Sequence, residues 1–186
     1  MTRLRKKPGM HEHRMQEFSD QRRPLWESSQ RERVAQLKKQ MLSLELTLAR
    51  EIKEPEERVQ ALCKLASHHV SLGSDPSPIL VEALLSADSV EDELKKGVIL
   101  IGIAGFFKSN GNDPLPLLSK AVSCIEQAHY CGQVKDVLLI RIGNICMELR
   151  EYGAAFDVAN KISSPGAKEV ILTMVQVERA KTFSLD

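Results

Sequence analysis

The chain has 186 residues, 42% of them hydrophobic and 27% charged, with a formal net charge of +1. That length suits one domain with a sizeable core, and the balance excludes a chain that is disordered throughout. Aromatic residues make up only 4%, while Leu, Ile, Val and Ala abound, which favours aliphatic helix packing over a β-sandwich.

The near-neutral total conceals an asymmetry. Residues 1–39 hold eleven Lys/Arg and five Asp/Glu, a net of +6, and the rest hold fifteen and twenty, a net of −5. A basic arm therefore precedes an acidic body, and the overall balance does not exclude a charged partner. Residues 1–27 have few apolar positions and no sustained period, so they read as a mobile basic arm. No apolar stretch follows the basic start, which argues against a secretory signal. Glu12, Glu17, Asp20 and Glu27 interrupt the basic face that a mitochondrial presequence needs. A cytoplasmic location is the expectation. Arg3, Arg5, Lys6 and Lys7, with Arg22 and Arg23 near Trp26, suit phosphates of nucleic acid or an anionic membrane, a localisation signal, or a solvated tail. His11 and His13 have no third donor nearby, so no metal site is expected.

From Ser28 onward the pattern turns helical. Val34, Leu37, Met41, Leu44, Leu48 and Ile52 follow three-and-four spacing, predicting an N-terminal helix over 28–53. Pro55, among Glu54, Glu56 and Glu57, marks a new helix start. Val59, Leu62, Leu65, Ala66 and Val70 then form a stripe that stops at Gly73.

The stretch that follows, GSDPSPILVEA (73–83), recurs as GNDPLPLLSKA (111–121), and Leu62, Leu65 and Ala66 find counterparts in Leu100, Ile103 and Ala104 at the same offset. Gly accepts the left-handed conformation that stops a helix. Asp can cap the next one through its side-chain oxygen, and Pro fits a first turn where its missing N–H costs nothing. The phrase is thus a corner between two helices, and two corners in register predict two stacked hairpins, over 55–90 and 91–130. The longest apolar run, Val98 to Phe107, is too short for a bilayer span of roughly 20 residues, so no transmembrane segment is expected. Gly102 and Gly105 lack a phosphate-loop context and read as sites of close helix approach.

A third copy over 131–164 places Leu139, Ile142, Gly143, Cys146 and Leu149 on its first helix and Ala155, Val158, Ala159 and Ile162 on its second, with REYG (150–153) in place of the proline corner. Ala49, Ile52, Pro55 and Arg58 echo Ala159, Ile162, Pro165 and Lys168, so 165–186 is expected to supply a capping helix and tail. Cys63, Cys124, Cys131 and Cys146 have no CxxC spacing and read as reduced, buried thiols.

The pattern resembles the tetratricopeptide-like α-solenoids. The local match is best in the third copy, where Leu139, Ile142, Gly143, Tyr152, Ala155 and Ala159 stand at spacings like those of the family's packing positions. The resemblance implies an all-α fold, a right-handed stack of antiparallel helical hairpins with about seven to eight helices. In such a stack one helix of each pair lines an extended binding surface. If the first helix does so here, the candidates are Lys64, His68, His69, Lys108, Arg141, Asn144 and Glu148. No nucleophile or orienting carboxylate is identifiable beside His68 and His69, so no catalytic residue, cofactor or metal is expected. The reading is a non-enzymatic module that binds a protein or peptide as an adaptor, scaffold or chaperone-like holder. The alternative is binding of nucleic acid or anionic membrane through the arm, with an enzyme third.

Overall fold

The structure is a computed structural model that describes residues 10–183, with side chains for Trp26 and residues 28–181. Among the described residues there are eight helices and no strand: α1 (Met10–Glu51), α2 (Pro55–Ser71), α3 (Ser77–Asp88), α4 (Glu93–Ser109), α5 (Leu115–Gln127), α6 (Gly132–Glu148), α7 (Tyr152–Asn160) and α8 (Pro165–Phe183). The chain divides into two units, Met1–Leu48 and Ala49–Asp186.

The first unit consists of α1 up to Leu48 and what precedes it. The helix begins at Met10, where the sequence reading placed a mobile arm over 1–27 and a helix start at 28. Residues 10–27 are rich in Gln, Glu and Arg, which favour helix without an apolar stripe; the missing periodicity speaks against burial and not against helix. Arg3, Arg5, Lys6 and Lys7 lie outside the described residues, as do the side chains of Arg22 and Arg23. Val34, Leu37, Met41, Leu44 and Leu48, whose spacing reads as a core stripe, are 49–62% exposed.

In the second unit α2 packs on α3, α4 on α5 and α6 on α7, each pair an antiparallel hairpin, and α8 packs on α7 and α6. Successive hairpins stack through α3 against α4 and α5 against α6. Positions related by the thirty-eight-residue offset share their burial: Leu62 and Leu100, Leu65 and Ile103, Ala66 and Ala104, Leu80 and Leu118, Ala83 and Ala121 are all in the core. Small residues such as Ala83 and Ala121 sit where the helix axes come close, and Leu and Ile fill the space between.

The two corners match bond for bond. Gly73 and Gly111 are left-handed, at φ +69° and +74°. The N–H groups of Ser74 and Asn112 reach back to the carbonyls of His69 and Phe107 at 2.8 and 2.9 Å, and those of Gly73 and Gly111 to Val70 and Lys108, which is a Schellman cap. Asp75 and Asp113 then accept from the N–H groups of Ser77 and Leu115 at 2.9 and 3.0 Å, one residue earlier than a helix cap proper, because Pro76 and Pro114 take the cap position. The third corner makes the same pair of bonds without glycine. Arg150 stands at φ +62°, its N–H on Met147 and that of Glu151 on Cys146. Of the REYG stretch, Arg150 makes the turn, while Gly153 lies inside α7.

Between hairpins, exposed ion pairs bridge equivalent edges: Arg50 to Glu82, Asp88 to Lys120 and Glu126 to Lys161 along one, Glu56 to Lys95 and Glu148 to Lys108 along another. Each is worth little alone, and their recurrence marks the regular repeat of the stack. Asp136, buried in the first turns of α6, accepts from the N–H groups of Ser163 (2.7 Å) and Ser164 (2.8 Å) and so ties down the connection into α8.

The glycine of close approach is Gly97 and neither Gly102 nor Gly105. A Cβ on Gly97 would meet Ile125 Cγ1 at 2.9 Å and the Ala121 carbonyl at 3.3 Å, whereas one on Gly102 or Gly105 would meet nothing within 4 Å. Gly102 lies on the side of α4 turned to solvent, away from α5. Thermal melts should therefore separate them. Gly102→Ala is expected to stabilise by up to about 1 kcal/mol through helix propensity, while Gly97→Val should destabilise by roughly 1–3 kcal/mol through overpacking.

The shared cap geometry makes a second, opposed pair. A non-glycine residue in the left-handed region bears roughly 1–2 kcal/mol of steric cost, part of which glycine returns as unfolded-chain entropy. Arg150→Gly should raise the melting temperature by a few degrees, and Gly73→Ala, which meets open space but keeps the positive φ, should lower it. Equal melting points for all three chains would show that the caps do not set hairpin stability.

Candidate functional site

The side of each first helix that does not face the core carries the candidate surface. On α6 the three-and-four spacing that buries Leu139, Ile142 and Cys146 leaves Val134, Val137, Arg141, Asn144 and Glu148 as one exposed stripe. Val137 is 65% exposed. On α4, Val98 and Gly102 are exposed and Lys108 is partly so. On α2, Lys64 and His68 are exposed and His69 is half-buried.

Of the seven residues singled out from the sequence, the structure joins two directly. Lys108 near the end of α4 pairs with Glu148 at the end of α6, in keeping with the contact between these helices. The pair neutralises itself, and Arg141 and Asn144 remain as the exposed polar groups further back along α6. Lys64, His68 and His69 belong to a different hairpin, packed on α3. Of the apolar members of the face, Val98 was noted only as the start of the longest apolar run, and Val134 and Val137 went unremarked in the sequence. Their signal was present, since Val134 and Val137 fall off the Leu139–Ile142–Cys146 stripe, but an apolar residue on a helix reads first as core.

His69 has a buried Nδ1 with no hydrogen-bond partner. The nearby Asp75 carboxylate is held below its usual range by the Ser77 hydroxyl and N–H, with His69 contributing electrostatically. Asp75 is engaged with Ser77 and the His69 Nδ1 is without a partner, so the two do not form an oriented acid–base couple.

A shallow depression of about 410 Å³ is lined by Glu54, Pro55, Glu56 and the α3–α4 connection Ser89 to Asp92. Two of its four acids are committed. Glu56 pairs with Lys95, and Asp92 caps α4 through the N–H groups of Leu94 and Lys95 while accepting the Tyr130 hydroxyl at 2.9 Å. The Lys95 N–H and that hydroxyl hold Asp92 below the usual carboxylate range. Among the described residues no cluster of His, Cys, Asp and Glu is arranged to hold a metal ion, and no helix is long and apolar enough to cross a membrane.

No protein-family model and no curated protein sequence matches this chain. Among solved structures it is similar to the crystal structure of Ton1535 from Thermococcus onnurineus NA1, at 17% identity and a TM-score of 0.57 over 75% of this chain. The chain spans 43% of that protein's length. At such identity the likeness bears on the fold alone.

The thiols divide three to one. Burial pushes Cys63, Cys124 and Cys146 up to about 11, while Cys131, at the cap position of α6, is exposed. The sequence reading had all four inside; Cys131 escapes because it sits in the α5–α6 connection, off any core stripe. A thiol of pKa 11 is almost wholly protonated at pH 8, and only the thiolate reacts. Iodoacetamide at pH 8 should thus label Cys131 first and leave the other three until the chain is unfolded, as read by peptide mass mapping. Rapid labelling of Cys146 in the native chain would contradict its placement.

Proposed function

We propose that the helical body is a non-enzymatic binding module that holds a protein or peptide segment against the exposed faces of α4 and α6, acting as an adaptor, scaffold or chaperone-like holder of the tetratricopeptide-like kind in the cytoplasm. The observation that carries this reading is the α6 stripe. It sets Val134 and Val137 in line with Arg141 and Asn144, and Val98 stands exposed on the neighbouring α4. Apolar side chains left in water on a rigid element, followed by a cation and an amide, suit a segment presenting an apolar anchor and a carboxylate.

The second reading assigns affinity to the basic N-terminal stretch, where residues 1–39 carry +6 against the −5 of the remainder. Counterion release would then make binding to nucleic acid or anionic vesicles fall steeply with salt.

One set of proteins distinguishes the two. A photo-crosslinker at position 137 should trap a saturable partner in native cells, and Val137→Asp or Arg141→Glu should weaken the purified partner's affinity at least tenfold, about 1.4 kcal/mol. Replacing Arg3, Arg5, Lys6, Lys7, Arg22 and Arg23 with Gln should leave that affinity within a factor of two. Should the six-fold Gln variant lose all binding while the α6 variants bind normally, the arm reading replaces the first.

A further inference from the structure

Helices α2, α4, α6 and α8 begin at Pro55, Glu93, Gly132 and Pro165, and counting from those starts sets all four in one frame. The eleventh residue is buried in each: Leu65, Ile103, Ile142 and Val175. The sixth is Gln60, Val98, Val137 and Val170, and the tenth is Lys64, Gly102, Arg141 and Met174, all of them exposed. Because α6 touches both α4 and α8, Val98, Val137 and Val170 form a row across three neighbouring helices, and they are 42%, 65% and 59% exposed. Building on the binding role given to α4 and α6 above, we propose that α8 completes the same surface. Val170, Met174 and Val177 anchor the apolar side of a partner's amphipathic helix, which turns one carboxylate to Arg141.

The α8 stripe is not a packing face left open. Where α2, α4 and α6 bury Ala66, Ala104 and Gly143 at their twelfth residue, α8 carries exposed Gln176, and exposed Glu169 replaces buried Val59, Gly97 and Asp136 at the fifth. The helix is thus polar on the side where another hairpin helix would pack and apolar on the side it shares with Val98 and Val137. Charge and size then choose the occupant. At the sixth, tenth and thirteenth positions from α4 to α8 the one charged side chain is Arg141, and the acid further along α6, Glu148, is taken up by Lys108. A wholly apolar ligand would bury the guanidinium unpaired, which is strongly unfavourable, whereas a carboxylate opposite it makes a charge-assisted bond. The sixth to thirteenth residues span about 10 Å along the axis, the width of one helix. Three axes about 8–10 Å apart suit a crossing helix of roughly 13 residues.

Fluorescence anisotropy with the full chain provides the test, and thermal melts control for folding. The probe is a labelled helical peptide of roughly 16 residues, with leucines at three-and-four spacing and one glutamate among them, set against the same peptide with lysine in that place. The wild-type chain should bind the glutamate peptide at least tenfold more tightly than the lysine peptide. Val170→Asp and Met174→Asp should each weaken that binding at least tenfold with an unchanged melt, Gln176→Glu on the outer side should leave it within a factor of two, and Arg141→Glu should reverse the preference. Loss of binding in Val137→Asp but not in Val170→Asp and Met174→Asp would overturn the part given to α8 and leave the α4–α6 reading standing. Equal affinity for the two peptides, or no binding of either at about 100 µM, would overturn the proposed partner chemistry.

Discussion

Three residues with positive φ, Gly73, Gly111 and Arg150, hold the helical body in its layout. Each stops a first helix by turning the chain left-handed, which lets the next N–H reach the carbonyl five residues back and closes the helix end. The second helix then has only one direction in which to leave. The turn sets the hairpin geometry in which Leu62, Leu80, Leu100 and Leu118 are buried. Glycine meets the requirement at no steric cost, whereas Arg150 meets it because the surrounding packing outweighs the strain.

Stacking of hairpins is a separate matter and rests on weaker terms added many times. Gly97 admits Ile125 to within contact of the α4 backbone, and the alanines of α3 and α5 keep the layers close. Exposed ion pairs from Arg50 to Lys161 recur between successive hairpins and favour one register over a slip by a turn. Asp136 does comparable service from inside, where its two backbone hydrogen bonds anchor the last connection. A stack made this way needs each interface only to hold its neighbour, so its outer faces are released from structural duty.

Those released faces differ in chemistry, and that difference orders the functional possibilities. The α6 stripe mixes apolar and polar groups at helical spacing, which suits recognition of an extended segment. The depression near Glu54 and Asp92 is polar, and two of its carboxylates, Glu56 and Asp92, are taken up by pairing and capping. The α1 stripe from Val34 to Leu48 is apolar along one line and exposed.

Much of the fold was legible in the residues, because the information is local. GSDPSPILVEA and GNDPLPLLSKA each encode a stop, a turn and a start within eleven residues, and hydrogen bonds between near neighbours carry out that instruction. The core stripes of α2, α4 and α6 were legible for the same reason, since a three-and-four period marks a helix whatever it packs against. What the period cannot say is whether something packs there. Val34 to Leu48 have as regular a stripe as Leu62 to Ala66, yet one is exposed and the other buried. The choice of Gly97 over Gly102 and Gly105, the exposure of Cys131 and Val137, and the pairing of Lys108 with Glu148 across forty positions are of this second kind. Each depends on which side of a helix meets its neighbour, and that is decided by the summed packing of whole hairpins and not by any residue's own sequence context.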